Sequence, residues 1–282
     1  MPFIRRTGKP TLHYRVDDFT DPWKNAGTIL LQHGYGRSSR FWSGWVPYLS
    51  RFYKVVRPDL RGHGESPVDF NPATHTTLEG YIEDIVTVLD HLNLDSVHYC
   101  GESFGGILGM ALAAEHPQRV RTLNLVAAPV YQDQTRREAL AGGSASREDA
   151  LRTKGTKVWA TAVYGAPDVF PEDADPGLRE WYISEIGKSD AEVLCGLSGL
   201  LRHASAKDFL PRIQAPVLGL YPTAGAVTGS GQEELLATGI KNLRMIHLPT
   251  RFHHAVVTSM SAVCAQHVLH FAAQYDGIAC YE

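Results

Sequence analysis

Hydrophobic and polar positions along the chain follow two periodicities, one typical of buried strands and one typical of helices, and the two alternate along the sequence. Short apolar runs predict buried strands, and segments with apolar positions every three or four residues predict amphipathic helices between them. Polar and apolar positions alternate over residues 1–19, which predicts an antiparallel hairpin at one edge of the sheet. The predicted strands that follow are 28–32, 53–57, 97–100, 122–127, 216–221 and 243–248.

The helical segments fall between these strands. The clearest runs from about Leu78 to Leu92, with Thr77 as its N-cap, and others follow Ser103, span 233–237 and end the chain. Strand and helix therefore alternate. This order predicts an α/β protein with a mostly parallel central sheet and helices on both of its faces.

Residues 131–205 interrupt the alternation. Charges are denser there, aromatic residues occur singly, and helical periodicity replaces the buried strands. We predict a helical cap over 131–205, inserted into a core made of 1–130 and 206–282. A helical excursion without a lid role is the alternative. If the segment is a lid, Trp159, Trp181 and Tyr182 are expected to contact the substrate.

Composition excludes several classes of function. The 282 residues are 44% hydrophobic and 20% charged, which suits one large domain with an insertion. A net charge of −3 gives no basic field for nucleic acid, and the 13 histidines lack metal-ligand spacing. The four cysteines form no C-x-x-C pattern, and no apolar run is long enough for a leader or a membrane span.

We therefore expect a soluble cytoplasmic protein that acts on a small molecule, with no nucleic-acid or membrane partner, no metal and no cofactor. The oligomeric state stays open, with a homodimer among the alternatives.

The candidate chemistry begins at residues 101–106, which read G-E-S-F-G-G between a predicted strand and helix. The pattern G-x-S-x-G at such a turn is typical of a nucleophile elbow, in which Ser103 adopts a strained conformation above the sheet. The Phe104 amide would then lie at a helix N-terminus and could donate to an oxyanion. His33 to Gly36, H-G-Y-G, follow an earlier strand, and the Tyr35 amide could be the second donor.

A general base is expected from the loop after the last strand. Residues 249–255 read P-T-R-F-H-H-A, so that His253 and His254 both reach the carboxyl edge of the sheet, where Ser103 is predicted. Each motif alone also fits a structural turn or a structural histidine.

Together these motifs resemble the α/β-hydrolase fold family over about Leu12 to Phe271. The matching pieces are H-G-Y-G, D-L-R-G-H-G-E-S at 59–66, G-E-S-F-G-G, the helical insertion and the final P-x-x-x-H. The resemblance implies a serine hydrolase with Ser103 as nucleophile and Tyr35 and Phe104 as backbone oxyanion donors. It implies His253 as the base, from its spacing to Pro249, with His254 as the competing residue.

The acid of the family's triad is missing at both usual positions. Gly225 occupies the first, after strand 216–221, and Ala127 and Ala128 occupy the second, after strand 122–127. The neighbouring carboxylates that could replace it are Asp133, Glu233 and Glu234.

The resulting hypothesis is a serine hydrolase that cleaves a small ester, lactone, amide or activated C–C bond through an acyl-enzyme on Ser103, with an atypical or relocated acid. The alternative is a protein of the same fold that binds or senses a ligand, or a non-hydrolytic C–C bond enzyme.

Overall fold

The computed structural model describes residues 2–166, 169–223, 230–252 and 254–280. Eight strands form one sheet in the order β1-β2-β4-β3-β5-β6-β7-β8. The pairs β1–β2 and β2–β4 are antiparallel and the other pairs are parallel. The strands are β1 (Phe3–Arg6), β2 (Lys9–Asp17), β3 (Thr28–Gln32), β4 (Lys54–Pro58), β5 (Val97–Glu102), β6 (Val120–Val126), β7 (Val217–Pro222) and β8 (Leu243–Leu248).

Helices connect the strands and cover the sheet. Those of the core are α1 (Val46–Leu49), α2 (Pro72–His75), α3 (Leu78–His91), α4 (Phe104–Glu115), α10 (Ser230–Gly239), α11 (Val256–Ser259) and α12 (Ser261–Asp276). Between β6 and β7 lie α5 (Gln134–Ala139), α6 (Arg147–Lys154), α7 (Thr156–Tyr164), α8 (Pro176–Ile186) and α9 (Ala191–Leu201). Short 3₁₀ turns span Ser39–Trp42, Pro117–Arg119 and Leu210–Arg212.

Both faces of the sheet are buried, as the continuous apolar strands predict. Successive residues of β3 show this, because Leu30 packs in the larger apolar cluster, with α3 and α4. Ile29 and Leu31 pack in the second cluster, with α1 and α12. Burying one such side chain contributes about 1.5–3 kcal/mol, so the two clusters hold helices on both faces.

The strand and helix predictions are confirmed with small shifts at the ends. The strands at 28–32 and 243–248 have the predicted bounds, and the hairpin at the amino end is present as β1 and β2. Thr77 caps α3 by accepting a hydrogen bond from the Gly80 amide. In the described part of the chain, no helix combines the length and the apolar character that crossing a bilayer would need.

The helical segment at 131–205, called the cap segment below, leaves and re-enters the core at one place, because Tyr131 and Ser205 form an isolated antiparallel bridge. Its aromatic residues Trp159, Phe170 and Tyr182 are buried, and they join the larger apolar cluster of the core. Trp159 also donates its indole N–H to the Leu140 carbonyl, at 2.9 Å. These contacts give the segment a defined packing above the carboxyl edge of the sheet.

Candidate active site

Ser103 lies at the sharp turn between β5 and α4. Its backbone angles are φ 53° and ψ −120°, a region that side chains other than glycine rarely adopt. The backbone of the turn packs closely against β3, since a Cβ on Gly105 would lie only 2.3 Å from the Gln32 carbonyl oxygen. This close packing holds Ser103 in its strained conformation. The strained turn predicted from G-E-S-F-G-G is therefore present, and it leaves the half-buried Ser103 on the wall of a cavity.

The H-G-Y-G loop comes directly against this turn. A Cβ on Gly34 would lie 2.8 Å from the Ser103 Cβ, so the peptide that joins Gly34 to Tyr35 passes beside the serine. Phe104 is the first residue of α4, where an amide has no acceptor within the helix. Tyr35 and Phe104 both line the cavity with Ser103. Two backbone donors next to one hydroxyl are the arrangement that an oxyanion hole needs.

The cavity lies between the core and the cap segment. The cavity is small, with a volume of ≈ 40 Å³. Its walls combine apolar side chains with charged and amide groups. Core residues on the walls include Tyr35, Ser103, Phe104, Ile107, Gln232 and His254, and residues of the cap segment include Gln132, Asp133, Arg136, Leu140, Arg147, Tyr164 and Leu201.

His254 reaches this cavity from the loop after β8. Its side chain is buried, and its Nε2 lies 3.5 Å from Oε1 of Glu102. Its Nδ1 has no hydrogen-bond partner among the described residues. Burial holds the pKa of His254 well below its usual range, and the cations Arg37 and Arg136 lower it further. The imidazole is therefore neutral at pH 7 and able to accept a proton.

An ion pair lies directly behind the serine. Arg37 donates to both carboxylate oxygens of Glu102, and both side chains are buried. The same guanidinium donates from Nε to the Tyr182 hydroxyl, at 3.1 Å, and from Nη2 to the His254 carbonyl, at 3.4 Å. Arg37 thus joins the loop after β3, the end of β5, the cap segment and the histidine loop.

The comparisons with known proteins bear on the fold that carries this site. A family model described as alpha/beta hydrolase fold matches residues 27–149. The crystal structure of the enol-lactonase from Burkholderia xenovorans LB400 is similar with a TM-score of 0.84 and 26% identity, over 96% of this chain and 100% of that one. The chain has the α/β-hydrolase fold.

Two further relatives of this α/β-hydrolase chain are similar over most of its length. 3-Oxoadipate enol-lactonase 1 of Acinetobacter baylyi is 28% identical over 209 residues, 73% of this chain and 74% of that protein. A hydrolase structure from Pseudomonas aeruginosa PA01 has a TM-score of 0.79 and 26% identity, over 98% of each chain. Like these relatives, the protein is a hydrolase.

The acid candidates of this α/β-hydrolase chain lie in different places. Asp133 lines the Ser103 cavity, but its Oδ1 accepts the Arg136 amide at 2.7 Å and so caps α5. Glu233 pairs with His247, 3.0 Å away. Glu234 is exposed, and it lines a separate groove together with Glu233. Gly225 and His253 lie outside the described residues. Among the described carboxylates, only Glu102 comes within 4 Å of a ring nitrogen of His254.

The three aromatic residues expected to contact the substrate are placed away from the cavity wall. Trp159 and Tyr182 are buried between the cap segment and the core, because Trp159 packs against the ring of Tyr35 and Tyr182 against that of Phe41. Trp181 packs on Phe41 beside a different surface groove. Tyr164 is the aromatic residue that the cap segment contributes to the Ser103 cavity, in addition to Tyr131 at its start.

Sequence reasoning missed Arg37, Glu102 and Arg147. A signal for Glu102 exists, because it is a carboxylate at the end of a strand, 97–102, whose sequence predicts burial. Nothing in the sequence identifies its partner. Among the described residues, no three of His, Cys, Asp or Glu come together as a metal site.

Proposed function

We propose that the protein hydrolyses small esters and lactones through an acyl-enzyme formed on Ser103. The observation that carries the proposal is the strained turn at Ser103, with φ 53°, on the wall of the cavity that also includes His254. Relatives named as enol-lactonases support esters and lactones as the bond class.

In the acylation step, the Ser103 hydroxyl attacks the substrate carbonyl while His254 accepts its proton. The negative charge that develops on the carbonyl oxygen receives hydrogen bonds from the amides of Tyr35 and Phe104. The intermediate then expels the alkoxide or enolate, which takes the proton from the imidazolium. Water attacks the acyl-enzyme by the same route, with His254 again as base, and releases the acid.

His254 is our choice of base over the neighbouring His253. Two observations support it: His254 shares the cavity with Ser103, and its burial keeps the ring neutral at pH 7. His253, which spacing favoured in the sequence, lies outside the described residues and stays the competing prediction. The two assignments differ in one measurable respect, namely which single alanine variant loses activity.

The acid is the atypical part of the proposed site. Since the Nδ1 of His254 has no partner among the described residues, we assign its positioning to the Arg37–Glu102 pair. Arg37 donates a hydrogen bond to the backbone carbonyl of His254, and Glu102 lies beside the imidazole ring of the same histidine. Neither residue touches the reacting atoms in this mechanism, so both are positioning residues.

The test uses the full chain with 4-nitrophenyl butyrate and a simple lactone. Ser103→Ala should lower kcat by about four orders of magnitude or more, because it removes the nucleophile. A fluorophosphonate should label the wild-type protein once, at Ser103, as mass spectrometry of the peptides would show.

The histidines are compared as a matched pair. His254→Ala should approach the loss of Ser103→Ala, and His253→Ala should keep activity within about tenfold of wild type. A reversed ranking would make His253 the base. Wild-type protein that hydrolyses neither ester nor lactone, and stays unlabelled, would refute the proposed function and favour the ligand-binding alternative.

A further inference from the structure

Arg147 is a buried cation on the wall of the Ser103 cavity. It is the first residue of α6, and its side chain is 5% exposed. Its guanidinium lies over the ring of Tyr35, 4.5 Å from the centroid. One terminal nitrogen donates to Oε1 of Gln132 at 2.8 Å, and Gln132 lines the cavity as well.

The positive charge of Arg147 is not balanced. Within the described ranges, Arg147 makes no ion pair, and its Nε has no hydrogen-bond partner. Burial of a cation without a counter-charge is unfavourable, so such a group is expected to meet an anion. The other buried arginines of the described residues each pair with a carboxylate: Arg37 with Glu102, Arg57 with Asp17 and Arg61 with Asp84.

The rest of the cavity lining combines a second cation with apolar side chains. Arg136 lines it too, and Asp133 is the carboxylate that the described residues add to the lining. That carboxylate is turned to the start of α5, where it accepts the Arg136 amide. Apolar side chains, among them Ile107 and Leu140, line the same cavity. A molecule with a charged end and an apolar body would match this lining.

We propose that the cavity takes acyl substrates that carry a carboxylate, and that Arg147 binds this carboxylate while Ser103 attacks the ester or lactone carbonyl. The inference rests on the proposed function and adds the substrate class. The guanidinium presents its free Nε–H to the carboxylate, which supplies the counter-charge that the described residues lack. Gln132 accepts from the neighbouring Nη2, on the same edge of the guanidinium, and so keeps the group in place beside the free Nε–H.

The experiment compares two series of 4-nitrophenyl esters. One series consists of half-esters of linear dicarboxylic acids with four to seven carbons, and the other has the free carboxylate blocked as its methyl ester. Rates are corrected for spontaneous hydrolysis. At the best chain length, wild type should prefer the free carboxylate by about 10- to 100-fold in kcat/KM, the range of one charge-assisted hydrogen bond.

Arg147→Met should lose this preference, so that its kcat/KM for each free half-ester falls to about the value that it shows for the blocked ester of the same length. Arg147→Lys, which keeps the charge but not the fork, should retain part of it. Arg152→Met is the matched control, because Arg152 lies on the same helix, is exposed and pairs with Glu192. It should keep the full preference.

The outcomes separate the inference from the proposed function. If wild type hydrolyses both series equally, the inference is overturned and the serine hydrolase stands, and this comparison needs no variant that folds. If wild type hydrolyses neither series, the proposed function fails. Calorimetry in which adipate is titrated into the Ser103→Ala protein then tests the carboxylate site independently of catalysis. Binding that is lost when Arg147→Met is added supports the site, and absence of binding refutes it.

Discussion

Arg37→Met should remove the counter-charge from a carboxylate buried next to the nucleophile. Both side chains of the Arg37–Glu102 pair are almost fully buried, at 3% and 1% exposure. Two charge centres about 4 Å apart, at an effective dielectric constant of about 20, attract each other by about 4 kcal/mol. Removal of one partner of a buried pair typically costs about 3–5 kcal/mol. We expect a loss in this range, a large part of the total stability of a domain.

The loss should grow with pH. Burial raises the pKa of Glu102, and Arg37 and the Gly34 amide offset part of this effect. Without Arg37 the folded-state pKa rises further, so Glu102 takes up a proton on folding. A carboxyl whose folded pKa lies above its unfolded value of 4.5 contributes stability at low pH that is lost as pH rises through the folded pKa. Arg37→Met should therefore lose less stability at pH 5 than at pH 8.

Urea unfolding followed by tryptophan fluorescence at both pH values measures this. The variant Arg37→Met/Glu102→Gln should recover most of the loss, since it leaves no charge unpaired. Arg152→Met, at an exposed pair, should change little at either pH. If Arg37→Met loses less than about 1 kcal/mol of unfolding free energy, or loses the same amount at pH 5 and pH 8, then Arg37 does not neutralise a buried Glu102 carboxylate.

Two further predictions follow from the same turn and cavity. Gly105→Ala should unfold the protein or lower its Tm sharply, because the new Cβ meets the rigid Gln32 carbonyl, whereas Gly231→Ala, with nothing within 4 Å, should leave Tm unchanged. Asp133→Asn and Glu233→Gln should each keep kcat within about tenfold of wild type, because Asn caps α5 as well as Asp does and Glu233 pairs with His247. A loss near four orders of magnitude in either variant would identify that residue as the relocated acid.

Most of the fold could be predicted because its signals are local. The strands are apolar runs long enough to cross the sheet, and α3 carries both an apolar stripe and a Thr77 cap. The strain at Ser103 could be anticipated because two glycines flank a serine between a strand and a helix. These features depend on residues that are neighbours in the chain.

The charged parts of the site could not be predicted, because they depend on pairs that are distant in the chain. Arg37 and Glu102 are 65 positions apart, and their pairing follows from the adjacency of β3 and β5. The aromatic residues of the cap segment mislead for a related reason. Helical periodicity gives a buried face, but it does not say whether that face lines the cavity or packs behind its wall, as Trp159 does against Tyr35.

The proposed substrate class and the missing acid have a common electrostatic consequence. Arg37 and Arg136 both lower the pKa of His254, so formation of the imidazolium during acylation is opposed by two positive charges. A triad acid would offset this, and none of the described residues hydrogen-bonds Nδ1. A substrate carboxylate bound at Arg147 would bring a negative charge into the same cavity and so favour the imidazolium. The base would then be strongest with an anionic substrate bound, and part of the preference should appear in kcat as well as in KM.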